Sequence, residues 1–239
     1  MDLYPDARNL VTKVAQRNVF TLVVTTSPRA WKATSAVFAG YSNIAIGLGL
    51  HPEVAVAKAR ERADLIASIK ESRFIGEIGL DASIRFRSSL KLQESIFDEA
   101  LAECSRHKGR ILSLHSRGAA SLVLDYVARY PAAGKVLLHW FSGTSAQLRR
   151  GISLGCWFSV GPAMLQSANG QALVGAMPLE RILPETDGPF AKRAGRALMP
   201  WEAIEISSAI ATAKGLHQEE VRAQFERNLQ TLLANGFQR

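Results

Sequence analysis

Two rhythms of apolar and polar residues alternate along the chain. Short apolar runs, rich in β-branched and aromatic residues, occupy positions 20–26, 44–50, 74–80, 110–115, 135–141, 156–160 and 182–186. Between them, apolar residues recur at the three-to-four-residue spacing of one helical face. Such sets are Leu10, Val11, Val14 and Ala15; Ile96, Phe97, Ala100, Leu101 and Cys104; Val123, Leu124 and Val127; and Val221, Phe225, Leu229 and Leu232. The runs predict strands and the segments between them helices. The strands are almost continuously apolar, which is how a sheet covered on both faces reads. Strand–helix alternation of this kind predicts parallel pairing through helical crossovers. Seven strands are predicted, whereas a closed (β/α)8 barrel needs eight. The chain opens directly on a loop and helix. The expected fold is therefore an α/β TIM barrel whose first strand is absent from this sequence. No composition shift, Pro/Gly linker or low-complexity stretch interrupts the pattern, so residues 1–239 are expected to form a single domain.

Composition narrows the class without choosing a function. A chain of 239 residues that is 47% hydrophobic and 21% charged can bury a sizeable core, since folding at this size removes roughly 70% of the unfolded surface from water. Disorder as the main state is excluded. Two cysteines, Cys104 and Cys156, rule out a disulfide scaffold and leave no C-x-x-C zinc site. Both fall on apolar positions and are expected to be buried and inert. No apolar run reaches the ~18 residues of a membrane span. The first residues carry acid and proline instead of a basic, apolar leader. A cytoplasmic protein without a membrane partner is expected. The 29 Lys and Arg against 21 Asp and Glu give a net charge of +8. That excess fits a polyanionic partner such as nucleic acid, and fits ordinary solubility as well.

The chemistry is concentrated where the apolar runs end. Acids and imidazoles occur in Ile75-Gly76-Glu77-Ile78-Gly79-Leu80-Asp81, Leu112-Ser113-Leu114-His115-Ser116-Arg117, Leu138-His139-Trp140-Phe141-Ser142-Gly143 and Pro184-Glu185-Thr186-Asp187-Gly188-Pro189. In a barrel, the carboxyl ends of the strands converge on the active-site face. Glu77, His115, His139 and Asp187 could then meet, and two imidazoles with two carboxylates suit zinc, manganese or a similar divalent ion. A lone histidine in an apolar strand is more often a satisfied core residue. A buried carboxylate is harder to dismiss, because it is costly when unpaired. The pattern alone leaves a metal centre and a set of core side chains both open, and it does not choose a substrate.

These segments resemble the signatures of the TatD family of metal-dependent deoxyribonucleases, within the amidohydrolase-like TIM-barrel enzymes. The resemblance runs over essentially the whole chain. It includes Gly49-Leu50-His51-Pro52 and the Asn228-Leu229 region. Asp2-Leu3-Tyr4-Pro5-Asp6, His139-Trp140-Phe141-Ser142-Gly143 and Gly155-Cys156-Trp157-Phe158-Ser159-Val160-Gly161-Pro162 look more narrowly like the TatD-like nucleases of the Qat anti-phage defence systems. The resemblance implies a two-metal hydrolase acting on nucleic acid, with single-stranded DNA or DNA ends as the expected partner and other defence-system proteins as further partners. Glu77 would bridge two divalent ions (Mg, Mn or Zn). His115 and His139 would bind one of them. Asp187 would bind the other and orient or deprotonate the attacking water. The family pattern also begins with H-x-H, which is missing among the five histidines His51, His107, His115, His139 and His217. Met1-Asp2 stands where the residues after that motif belong, so the first strand and two ligands are expected to be missing together. A start taken at an internal methionine would explain both; a true loss, leaving one metal with carboxylates alone, is the alternative.

Other residues are weighed beside these. Arg117 could clamp a phosphate with its fork geometry, or pair with Asp81 or Glu77. His51 could contact substrate, or cap the helix that follows it. Arg85, Arg87 and Lys91 follow the Glu77 strand, and Lys192, Arg193 and Arg196 follow the Asp187 strand. Both basic sets are expected on the active-site face, where barrels often bind phosphate. Trp140, Phe141 and Phe190 could stack on bases or pack the rim. The leading expectation is a DNA-cleaving metal hydrolase. A metal hydrolase of a small amide, lactone or phosphoester is an alternative, as this fold hosts many chemistries. A non-catalytic barrel serving as a partner in a defence complex is another.

Overall fold

The computed structural model describes residue 4 and residues 6–234. Of the opening motif, Asp2, Leu3 and Pro5 lie outside the described residues, as does Met1. The chain divides into two compact units, the first reaching Val136 and the second beginning at Leu137.

The first unit runs α1 (Ala7–Gln16), β1 (Thr21–Val24), α2 (Pro28–Val37), β2 (Ile44–Gly47), α3 (Arg62–Ser68), β3 (Phe74–Gly79), α4 (Leu90–Arg106), β4 (Ile111–His115) and α5 (Ala120–Arg129). Helix starts follow local chemistry. The Asp6 side chain accepts from the N–H of Asn9 ahead of α1, and Ser27 accepts from Ala30 ahead of α2, with Pro28 at its first position. β1 pairs in parallel with β2, and β3 with β4; a bridge between Leu48 and Ile75 joins β2's end to β3. Leu48, Leu65, Ile75, Phe97, Leu101 and Leu112 are fully buried between sheet and helices. Arg110, only 2% exposed, donates to the carbonyls of Ile69, Lys70 and Lys108. It thereby satisfies acceptors left over where the α3 segment ends.

The second unit runs β5 (Lys135–Leu138, which begins at the boundary), α6 (Ser145–Ser153), β6 (Trp157–Val160), α7 (Ala168–Ala176), β7 (Ile182–Pro184), the hairpin β8 (Lys192–Arg193) and β9 (Arg196–Ala197), α8 (Ile206–Lys214) and α9 (Gln218–Leu233). β5 pairs in parallel with β6, and β6 with β7. Asn228, 1% exposed, donates to the carbonyls of Leu179 and Ile182, tying α9 to the start of β7.

All seven predicted strands are present, and their parallel pairing follows the expected alternation. Two details differ. β1 is only half-buried along its length, where the sequence predicts burial on both faces; among the described residues it pairs with β2 alone. The predicted strands also run too long at their carboxyl ends. β2, β5 and β7 stop at Gly47, Leu138 and Pro184, so His51, His139 and Asp187 lie in the segments that follow. Trp140 and Asp187 take left-handed backbone, φ +37° and +53°, which cannot continue a strand. No helix among the described residues is long and apolar enough to cross a membrane. Cys104 and Cys156 are buried free thiols, as expected.

Candidate metal centre

In the first unit, Glu77 sits in β3 where the register with β4 shifts between Ile75 and Ile78. Such irregularities re-aim side chains. The neighbouring chain can come close because residue 49 is glycine: a Cβ there would lie 2.0 Å from the Thr25 carbonyl oxygen and 2.5 Å from the Glu77 nitrogen. That close approach brings His51 in. His51 Nε2 is 3.4 Å from Glu77 Oε1, while its Nδ1 accepts from the backbone N–H of Glu53 at 3.2 Å. His115, the last residue of β4, has Nδ1 at 2.8 Å from Glu77 Oε1 and Nε2 at 2.9 Å from Asp81 Oδ2. The His51 and His115 rings meet edge-on, centroids 4.7 Å apart. One ligand atom from each of His51, Glu77 and His115 lies within 4.8 Å of the others. Two imidazoles and a carboxylate at that range suit a divalent ion chemically.

The electrostatics point the same way. Burial opposes charge on His115, but its hydrogen bonds to Asp81 and Glu77 outweigh burial and raise its pKa to about 9. Burial would raise Asp81, yet hydrogen bonds from His115 and Ser83 hold it down at about 2. Two carboxylates thus flank His115, and the negative potential they create is one that a cation would favour. Asp81 is wholly buried. Its Oδ1 accepts from the Ser83 N–H at 2.8 Å. Gln93 braces its backbone, accepting from the Asp81 N–H at 2.7 Å and donating to its carbonyl at 3.2 Å.

In the second unit, His139 is the first residue after β5. Its Nδ1 lies 2.5 Å from Glu185 Oε2, and its Nε2 lies 3.4 Å from Asp187 Oδ1. Glu185 also accepts from the Trp140 N–H, at 3.2 Å. Their side chains are largely buried, 11% exposed for His139, 14% for Glu185 and 23% for Asp187. Of the four ligands expected from the sequence, Glu77 and His115 are therefore in contact, and so are His139 and Asp187.

Sequence reasoning did not single out Asp81 and Glu185 as partners of His115 and His139; of its two readings of His51, the capping one is seen, Nδ1 accepting from the Glu53 N–H, while Nε2 also faces Glu77. The detectable signal was there, since both acids lie in the strand-end segments that carry the expected ligands. The expected phosphate loop after β7 needs correction. Arg196 donates to both carboxylate oxygens of Glu202, each at 2.7 Å. Arg193 donates to Glu202 at 2.6 Å and also to Glu205. Their charge is spent within the protein because two acids follow in the next turn. Lys192 is exposed. Arg117 is exposed, and the carboxylates considered for it, Asp81 and Glu77, face His115 instead. Arg85, Arg87 and Lys91 are exposed, with Arg85 lying over the Phe86 ring at 5.1 Å. Phe141 is core, packed on Phe158 at 5.9 Å, Trp140 is half-buried, and Phe190 is 67% exposed.

Residues 1–234 match the family described as TatD related DNase. The chain belongs to this family. Among its TatD relatives, the human protein named Deoxyribonuclease TATDN3 is 33% identical over 150 residues, 62% of this chain. That match spans about half of the human protein, 54% of its length. The Klebsiella pneumoniae protein named 3'-5' ssDNA/RNA exonuclease TatD is 27% identical over 209 residues, 80% of this chain and 78% of that protein. The crystal structure of YjjV, a TatD homologue from Escherichia coli, superposes with a TM-score of 0.83 at 22% identity, covering 98% of this chain and 95% of that one. The fold is the TatD-type TIM barrel of metal-dependent hydrolases.

Proposed function

We propose that this TatD chain is a metal-dependent hydrolase that cleaves phosphodiester bonds of nucleic acid, with single-stranded DNA or DNA ends as substrate. The observation that carries the reading is the convergence of His51, Glu77 and His115 within 4.8 Å in a chain of this family. Glu77, His115, His139 and Asp187 would hold divalent metal, two ions by analogy with the family pattern, and the chain would act as a single domain. Bound divalent metal polarises a phosphoryl oxygen and supplies hydroxide near neutral pH. Glu77 and Asp187 are the catalytic carboxylates of this reading. Asp187 takes the proton of the attacking water, and Arg117, exposed two residues beyond His115, holds the phosphate with its fork. The names of the human and Klebsiella relatives support a nuclease. His139→Ala should abolish metal-stimulated cleavage of a single-stranded oligonucleotide. Undiminished cleavage by the purified variant overturns the reading.

A second reading, hydrolysis of a small phosphoester, gains from the neutralisation of Arg193 and Arg196 by Glu202 and Glu205, which removes two cations from the phosphate-binding set. Comparing turnover of an oligonucleotide with that of a chromogenic phosphodiester decides between them. A role in anti-phage defence rests on the motif resemblance alone. Loss of plaque protection on His139→Ala in a host carrying the gene cluster is its test.

A further inference from the structure

In the second unit, a segment that is otherwise firmly held leaves one aromatic ring in water. Phe190 is 67% exposed, the most exposed aromatic side chain among the described residues, so the ring does not pack the rim. Leaving it there forgoes the gain of burying it. The backbone on both sides is fixed. The Ala191 N–H donates to the Asp187 carbonyl at 2.9 Å, closing a turn over residues 187–191, and the Leu198 N–H donates to the Ala191 carbonyl at 3.0 Å. Ala191 and Leu198, 4% and 0% exposed, anchor the segment in the core. Between them the β8–β9 hairpin turns at Ala194 and Gly195, φ +50° and +78°, the paired positive values of a tight two-residue hairpin. Glu202 clamps it, accepting from Arg193 at 2.6 Å and twice from Arg196 at 2.7 Å, and Arg193 also reaches Glu205. The chain thus presents a bare ring on a braced support, three residues beyond Asp187, whose Oδ1 lies 3.4 Å from His139 Nε2.

We propose that Phe190 is a base-stacking platform, its ring covering the face of one unpaired base of a nucleic-acid strand, with Lys192 meeting a phosphate of that strand. The inference rests on the nucleic-acid reading above and names the residue that contacts the base. Every base has a π-face, so a ring in this place accepts any sequence and is indifferent to deoxyribose or ribose. Inside a duplex both faces of a base are already covered by its neighbours, so the platform favours an unpaired one. Charge selects the same occupant. Residues 188–201 contain Lys192, Arg193 and Arg196 and no acid, Lys192 is exposed, and the acids that follow, Glu202 and Glu205, are matched by the two arginines. Arg193 and Arg196 then have a purpose other than holding phosphate: they fix the hairpin that carries the ring. A rigid support spares the strand the entropy of ordering a loop when it binds.

The test titrates the full chain with a short labelled oligothymidine in chelator, so that nothing is cut. Phe190→Leu keeps apolar bulk and removes the ring; it should weaken Kd about 5- to 150-fold, the range of one lost base–aromatic stack. Phe190→Trp keeps a ring and should bind at least as tightly as the unaltered chain. A single abasic residue is then moved along the strand. At one position it should cost the unaltered chain about what Phe190→Leu costs, and it should cost Phe190→Leu nothing further there, because the two changes remove one contact. Binding by Phe190→Leu within about twofold of the unaltered chain, or an abasic penalty that adds to it at every position, overturns this inference and leaves the nuclease reading standing. An unaltered chain that neither binds nor cleaves the strand overturns both. Substitution at so exposed a position should leave folding intact, which circular dichroism checks. Should Phe190→Leu fail to fold, the unaltered chain answers with the abasic scan alone: a flat profile, with no position more costly than the rest, overturns the platform.

Discussion

Asp187 takes a left-handed backbone conformation, φ +53°, immediately beyond β7. Asn tolerates that region as well as Asp does, whereas most residues do not. Asp187→Asn therefore removes the carboxylate while keeping the turn. Turnover of single-stranded DNA should fall by about 10²-fold or more, the scale of a lost general base, with binding of the oligonucleotide in chelator little changed. A loss confined to affinity would make Asp187 a substrate contact. At this scale the sequence was legible wherever a residue's cost in its surroundings gave it away. A carboxylate in the glycine and aliphatic run around Glu77 needs a partner, and His115 closes one largely apolar strand while His139 follows another. What was not legible was which acid pairs with which imidazole. Asp81 and Glu185 read in sequence like Glu77 and Asp187, because only the folded chain sets His115 between Glu77 and Asp81 and His139 beside Glu185 and Asp187. His51 was obscured for a related reason, as one ring both caps the turn at Glu53 and faces Glu77.

Among the elements, the hairpin β8–β9 depends most on charge. Glu202, 5% exposed, gathers Arg193, Arg196 and the Met199 N–H. Hydrogen bonding from Arg196 is the main cause that lowers its pKa to about 2 from the ordinary 4.5, against the opposing effect of burial. A carboxylate lowered in the folded state contributes stability above its unfolded pKa and loses it as pH falls toward the folded one. This contribution should be intact above about pH 4.5 and fade toward about pH 2. Glu202→Gln should flatten that part of the curve of melting temperature against pH; an unchanged slope would show that the cluster contributes nothing to stability. Arg110 is the corresponding support of the first unit. Arg110→Met fills similar volume but leaves the Ile69 and Lys70 carbonyls without their donor. Unsatisfied buried acceptors cost about 1–3 kcal/mol each, and in a chain of this size that should lower the melting temperature by roughly 5–10 °C. The seven strands were legible because short β-branched runs between amphipathic helices leave little else to form. The hairpin and its acids were not, because two-residue strands have no period to read and the Arg–Glu pairs are fixed only by the turn between them.

For the whole molecule, the excess of 29 basic over 21 acidic residues matters through the cations that remain available. Arg85, Arg87, Lys91 and Arg117 are exposed and have no ion pair among the described residues, while Arg193 and Arg196 are neutralised. If three or so of them contact phosphates, oligonucleotide affinity should drop about tenfold or more between about 50 and 200 mM salt. Turnover of a small chromogenic phosphodiester should change far less over that range. Equal salt sensitivity of the two substrates would argue against a strand-binding surface. The two cysteines have a practical consequence. Cys104 and Cys156 are buried, and burial pushes both thiols up to about 12, so neither offers a thiolate to alkylating reagents at neutral pH. The native chain is in effect silent to maleimides while folded. A cysteine introduced at Ile84, 86% exposed on the segment beyond β3, would then be the single labelled position, allowing a fluorophore to report on strand arrival without first removing the native thiols.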